Sequence, residues 1–324
     1  FYRAARAAGI NPILGCEVYV APGSRFDREI GSGDDRYYHL VLLAENNQGY
    51  ANLMKIVSKS FVEGFYYKPR VDLQLLEKYH EGLIALSACL AGEVARFLTR
   101  GMYEDAKAAA LRYQDIFGKG NFFLELQDHG IPEQQNVNQQ LLKMHRETGI
   151  ELVATNDVHY TLAEDAQPHD VLLCLQTGKK LSDENRMRYD GGQYYVKSPE
   201  EMERLFPYAT EALENTHKIA ERCHVEIEFG VTKLPKFDVP EGYTSWEYLN
   251  ELCFKGLEER YQPVTEELKE RLNYELSTIK NMGYVDYFLI VWDFIRYARD
   301  HDIMVGPGRG SAAGSLVAYT LGIT

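Results

Sequence analysis

The stretch Glu151-Leu152-Val153-Ala154-Thr155-Asn156-Asp157-Val158-His159-Tyr160 is a short apolar run that breaks into a polar cluster. Its first half has the length of a buried strand rather than a helix, and its second half sets a carboxylate and an imidazole two residues apart. On extended backbone such residues share a face, so Asp157 and His159 are expected to project together from a strand end. Functional groups gathered at strand ends are characteristic of sheets and barrels wrapped by helices.

Working outward, the same rhythm recurs. Strand-like runs fall at 13–20, 38–44, 82–87 and 122–126, with 151–155 as a fifth. Between them, 50–61, 102–117 and 134–148 carry apolar residues at three- and four-residue intervals, the helical period. An amphipathic helix occupies 2–8 at the very start, so the chain reads as a fragment at both ends. The alternation from 11 to about 230 predicts an α/β fold, a mostly parallel sheet or barrel with helices around it. At 232–242 the period is lost and Pro235 and Pro240 appear, which reads as a linker. The domain boundary is placed there, giving 1–230 and 231–324. Helices are expected at 245–261, 266–282 and 287–300, then a short strand at 303–305.

That strand would feed Gly306-Pro307-Gly308-Arg309-Gly310-Ser311-Ala312-Ala313-Gly314-Ser315. Four glycines allow close backbone approach to a ligand, Arg309 offers a fork of donors, and Ser311 and Ser315 offer hydroxyls, a combination suited to phosphate. A helix beginning at Leu316 would add its N-terminal dipole. The plain alternative is a glycine-rich turn. No Gly-Lys-Ser/Thr closes the run, which excludes an ordinary P-loop NTPase.

Composition narrows the options. A chain of 324 residues with 45% hydrophobic content can bury more than one core. A formal charge of −13 argues against a free-standing nucleic-acid binder, because phosphate contacts come from clustered Lys and Arg. Cys16, Cys89, Cys174, Cys223 and Cys253 are odd in number and irregular in spacing, so no disulfide framework is expected. With no secretory signal and no apolar run long enough to cross a bilayer, a cytoplasmic protein without a membrane partner is the expectation.

Four further groups stand beside apolar runs in company with Asp157 and His159: Glu17, His39, Cys89 and, less pointedly, His129. Singly, His39 or Cys89 fits a packed core and Glu17 an exposed strand. Jointly, carboxylate, imidazole and thiolate at strand ends are the ingredients of zinc or manganese hydrolase centres. His129 is placed beside the barrel mouth, while His169, His217 and His224 look like ordinary helix or turn residues. Phe65-Tyr66-Tyr67-Lys68-Pro69-Arg70 interleaves rings with cations, as single-strand binding surfaces do, although a semi-rigid loop is the plainer reading.

The glycine-rich decapeptide, with Tyr287-Phe288-Leu289-Ile290-Val291-Trp292-Asp293-Phe294-Ile295 before it, closely resembles the early palm of the C-family replicative DNA polymerases of bacteria. The order and local strings around Glu17, His39, Cys89, Asp157 and His159 resemble the later motifs of the polymerase-and-histidinol-phosphatase (PHP) domain that precedes that palm. The resemblance implies a distorted β/α barrel of PHP type, N-terminally truncated, followed by the first, largely helical part of a palm. It implies those five residues as ligands of Zn2+ or Mn2+, and Arg309, Gly310 and Ser311 on the incoming triphosphate. The family's opening His-x-His and Asp-His segments would lie before Phe1, and its palm aspartates, which hold Mg2+, beyond Thr324. This chain alone would then carry no polymerase catalytic residue. The whole enzyme would join dNTPs to a primer on template DNA, with a sliding clamp, a clamp loader and a proofreading subunit as partners, and a 3′ to 5′ exonuclease or phosphoesterase activity in the PHP part. No exonuclease insertion interrupts that part, which points to the shorter of the two C-family forms. A stand-alone PHP phosphoesterase is the alternative.

Overall fold

Along Tyr38–Ala44, every second side chain is buried while His39, Val41 and Leu43 are only partly covered, the period-two pattern of a strand with two unlike faces. In a computed structural model, which describes residues 1–29, 36–231, 233–306, 308 and 310–324, this strand lies in the middle of the sheet. The described residues form two compact units, Phe1–Ile227 and Glu228–Thr324.

In the first unit the elements run in order Tyr2–Ala7 (α1), Gly15–Val20 (β1), Tyr38–Ala44 (β2), Asn47–Val62 (α2), Phe65–Tyr66 (β3), Lys68–Val71 (β4) and Leu73–Tyr79 (α3). Then come Leu83–Leu86 (β5), Glu93–Thr99 (α4), Tyr103–Phe117 (α5), Phe122–Leu126 (β6), Pro132–Thr148 (α6), Leu152–Ala154 (β7), Ala166–Thr177 (α7), Pro199–Leu205 (α8) and Thr210–Arg222 (α9). The strands lie in the order β3-β4-β1-β2-β5-β6-β7.

The sheet is mixed rather than mostly parallel. β1 with β2, β2 with β5 and β3 with β4 pair antiparallel, whereas β1 with β4, β5 with β6 and β6 with β7 pair parallel. The helical period read between the later strands supplies the crossovers that parallel pairing needs, whereas β1 and β2, being antiparallel, need none.

Two apolar layers sandwich the sheet. On one face Leu40, Leu42, Leu83, Phe122, Leu124 and Leu152 pack against helix residues such as Ile56, Leu98, Tyr113 and Leu141. On the other, Ile84, Leu86, Phe123 and Val153 meet Ile219 of α9 and Cys223 just after it. β5, β6 and β7 are therefore buried on both faces, as parallel strands usually are. Backbones approach closely where α2 passes the turn before β5: a Cβ at Gly49 would stand 1.7 Å from the Gly82 carbonyl oxygen, so only glycine fits.

The second unit is helical among its described residues: Ser245–Arg260 (α10), Glu266–Asn281 (α11), Val285–Asp300 (α12) and Leu316–Thr320 (α13). Thr244 and Glu247 form a capping box at the start of α10. Leu249, Cys253, Leu257, Leu272, Leu276, Leu289, Val317 and Leu321 make its core. The strand expected at 303–305 is absent. Ile303 and Met304 are exposed, Ile303 N–H donates to the Ala298 carbonyl at the end of α12, and among the described residues of this unit no strand offers a ladder.

Candidate metal centre

The register puts one set of strand ends together. Tyr19 pairs with His39 across β1 and β2, Tyr19 with Arg70 across β1 and β4, and Val41 with Leu86 across β2 and β5. The C-terminal ends of β1, β4 and β5 thus meet the beginning of β2, with β6 and β7 continuing the edge in parallel. Glu17 lies opposite Val41, so His39 is its diagonal neighbour on the same face.

Cys89 is carried to this edge by a turn after β5. Ala88 adopts φ 63°, a left-handed conformation that costs a non-glycine residue, and His39 N–H donates to the Ala91 carbonyl at 3.0 Å. As a result one carboxylate oxygen, one imidazole nitrogen and one thiol sulfur, from Glu17, His39 and Cys89, lie within 4.8 Å of one another. His39 Nδ1 is 3.1 Å from Glu17 Oε1 and 3.6 Å from Cys89 Sγ. Burial pulls the His39 imidazole down, but its hydrogen bonds to Cys89 and Glu17 and their negative charge outweigh it, and the group is pushed up to about 9.

Asp157 and His159 form a second pair beyond β7, with Asp157 Oδ1 3.4 Å from His159 Nε2. Asp157 has φ 41°, the second left-handed non-glycine at this edge. Burial would raise its carboxyl; the hydrogen bond with His159 and the positive charges of His159, His129 and His39 lower it overall. The loop is fixed by Asn156, whose amide donates to the carbonyls of Tyr195 at 2.6 Å and Gln193 at 3.2 Å, and by His159 N–H donating to the Tyr194 carbonyl at 2.9 Å.

Several residues at this edge escaped the sequence reading. Glu125 is buried in β6, between β5 and the edge strand β7, and its carboxylate accepts from Ala88 N–H at 2.9 Å, from the Gln127 amide at 3.0 Å and from the Thr155 hydroxyl. Burial dominates and raises its carboxyl. A lone acid in the apolar strand Phe-Phe-Leu-Glu-Leu was the available signal. Tyr189 and Tyr194 pack around His159, with ring centroids 4.2 and 5.7 Å away, from a stretch with no period to reveal them. His169, taken for an ordinary helix residue, also reaches this cluster, 5.7 Å from the His159 ring. His129 is buried and stacked on Tyr194, its Nε2 bonded to the Asn156 carbonyl and its Nδ1 to the Gln134 amide. It supports the loop through Nε2 and is itself anchored to α6 through Nδ1.

In the second unit, Arg309 lies outside the described residues. Gly310 has φ 74° and Ser311 is exposed, opening a short 3₁₀ turn over Ser311–Gly314. The start of α13, expected to favour an anion, already holds one. Glu275 accepts from the Ser315 hydroxyl at 2.8 Å and from Val317 N–H at 3.2 Å, while Ser315 caps the helix through Ala318 N–H.

Comparison with known proteins fits this geometry. The PHP domain family matches residues 1–129, a span holding Glu17, His39 and Cys89 but not Asp157 or His159. The bacterial DNA polymerase III alpha NTPase domain family matches residues 247–324. Relatives named DNA polymerase III subunit alpha are 49% identical in Treponema pallidum, 50% in Borreliella burgdorferi and 42% in Thermus aquaticus, each over the whole of this chain. The chain spans 28%, 28% and 32% of those relatives' own lengths. No helix among the described residues is long and apolar enough to cross a membrane. Over its whole length the chain is similar to DNA polymerase III subunit alpha, and it carries a PHP domain and a stretch of the DNA polymerase III alpha NTPase domain.

Proposed function

We propose that residues 1–230 are a PHP metal domain with phosphoesterase activity, acting 3′ to 5′ on DNA, and that residues 231–324 begin the palm of the same polymerase subunit. The observation that carries the first half is the convergence of Glu17, His39 and Cys89, three unlike donors within 4.8 Å. An oxygen, a nitrogen and a sulfur donor suit Zn2+, with Mn2+ the second choice. Asp157 and His159 supply two more donors on the same edge. A bound ion would polarise a phosphate oxygen and favour an ionised water. The chain's own part is to hold those donors in place, with Glu125 and Asn156 fixing the turns behind them.

Metal analysis of the full-length protein, which would carry the ligand segments expected before Phe1, tests this after purification without chelators. Near-stoichiometric zinc or manganese is expected, lost in His39→Ala, and a metal-free wild type would refute the assignment.

In the whole protein the reading is Mg2+-dependent, template-directed transfer of nucleotides from dNTPs to a primer 3′-hydroxyl. Its partners would be primer-template DNA, the sliding clamp, the clamp loader and a proofreading subunit, in the cytoplasm. The full-length coverage of this chain by matches to proteins named DNA polymerase III subunit alpha supports it. Arg309, Gly310 and Ser311 would position the triphosphate through donors aimed at its oxygens. A full-length Arg309→Ala enzyme should show a raised dNTP KM and a lower kcat; unchanged values would remove Arg309 from that role.

A further inference from the structure

Beside the metal centre the surface carries rings and cations that belong to none of the apolar cores. The Tyr19 ring lies 5.3 Å from His39 and 4.6 Å from Tyr37. Lys68 Nζ stands 5.7 Å from the Tyr19 ring, and the Arg36 guanidinium 5.0 Å from the ring of Tyr67. Tyr67 sits at the tip of the β3–β4 hairpin with φ 60°, and it is 66% exposed. A bulky residue held in the left-handed region costs stability, and Tyr67 nonetheless keeps most of its ring exposed, touched by the Tyr66 ring at 4.7 Å and the Arg36 guanidinium at 5.0 Å.

We infer that Tyr19, Tyr37 and Tyr67, with Lys68 and Arg36, form a binding platform for single-stranded DNA that leads to His39 and the metal centre. Stacking needs unpaired bases, each of which has a face for a tyrosine ring, while the two cations meet the phosphates between them. Lys68 and Arg36 bring two positive charges to the patch against the one carboxylate of Glu17 beside Tyr19, on a chain whose formal charge is −13. Its direction toward the metal rests on the phosphoesterase reading; binding itself does not.

The test is fluorescence anisotropy of a labelled oligothymidylate with the 324-residue chain in EDTA, so that no metal-dependent cleavage intervenes. Tyr37→Ala and Tyr67→Ala are each expected to weaken binding roughly 5- to 150-fold. Lys68→Gln should reduce the slope of log affinity against log salt by about 0.7. Tyr67→Gly separates binding from folding: glycine relieves the backbone, so the melting temperature holds or rises while affinity falls. A duplex of the same length should bind more weakly, and Tyr243→Ala, in the second unit, should bind as wild type does. No measurable wild-type binding, affinities within twofold across the tyrosine variants, or equal binding of duplex would overturn the platform. Metal content, measured separately on the full-length protein, judges the phosphoesterase reading: tyrosine-dependent binding by the chain together with a full-length protein free of metal would leave the platform standing and that reading refuted.

Discussion

Replacing Glu125 tests how the candidate metal centre is held. Its carboxylate accepts from Ala88 N–H, the Gln127 amide and the Thr155 hydroxyl in a fully buried setting. Glu125→Leu leaves Ala88 N–H and the Thr155 hydroxyl without an acceptor, while the Gln127 amide keeps the Thr155 oxygen at 3.4 Å; at about 1–3 kcal/mol for each orphaned donor the sum is about 2–6 kcal/mol. Against a native stability of about 5–15 kcal/mol, that is a large share of the whole. Glu125→Gln keeps the volume and one acceptor oxygen and should cost about 1–3 kcal/mol. Because burial raises the folded-state carboxyl, ionisation is disfavoured in the fold. The advantage of Glu over Gln is therefore largest below about pH 4, where the unfolded carboxyl is protonated, and shrinks as pH rises toward the folded value. Urea denaturation followed by far-UV circular dichroism, at pH 4 and pH 7, measures all three quantities. A Leu variant within about 1 kcal/mol of wild type would show that the donors find other partners, and the account of this site would fail.

Three further outcomes are expected. Cys89→Ser should lower zinc occupancy at least tenfold in a competition with a chelator while leaving the melting temperature of the metal-free protein nearly unchanged, because the half-buried thiol packs little. Gly256→Ala would set a Cβ 1.9 Å from the Thr320 carbonyl oxygen, forcing α10 and α13 apart at a cost of about 1–3 kcal/mol, seen as a lower melting temperature. Glu275→Gln should cost about 1 kcal/mol at pH 7 by weakening the bonds to Ser315, Val317 and Arg271. Burial raises the Glu275 carboxyl, but those bonds lower it on balance, so its stabilisation is present above the unfolded value of about 4 and is lost as pH falls through the folded one. Wild type and variant should then converge in acid denaturation curves.

The long periodic elements were legible. The strands at 38–44 and 122–126 stand where alternation and apolar length put them, and helices over 266–281 and 245–260 end within a residue of the expected bounds. Seven-residue helices such as Leu73–Tyr79 and Glu93–Thr99 were not, since two turns hold too few repeats to register a period. At 303–305 the apolar residues suggested a strand, but strands are made by partners, and a helical unit supplies none. Glu17, His39 and Cys89 could be singled out as residue types; their meeting depends on the antiparallel register of β1 and β2, which local sequence does not encode.

Glu125 explains why a strand buried on both faces keeps an acid where leucine would pack better. The left-handed turns at Ala88 and Asp157 each cost about 1–3 kcal/mol, and neither has a glycine to relieve it. They lie after β5 and β7, the two neighbours of β6. From β6, one carboxylate binds Ala88 N–H on one side and the Thr155 hydroxyl on the other, offsetting strain in both turns at once. Cys89 and Asp157 are thereby held through a single group, so their positions are coupled. A double-mutant cycle between Glu125→Gln and Thr155→Val should show an interaction energy of about 0.5–3 kcal/mol, with metal affinity falling alongside stability. Strict additivity would mean that the bond between Glu125 and Thr155 contributes nothing and that Glu125 is only a tolerated buried acid on that side.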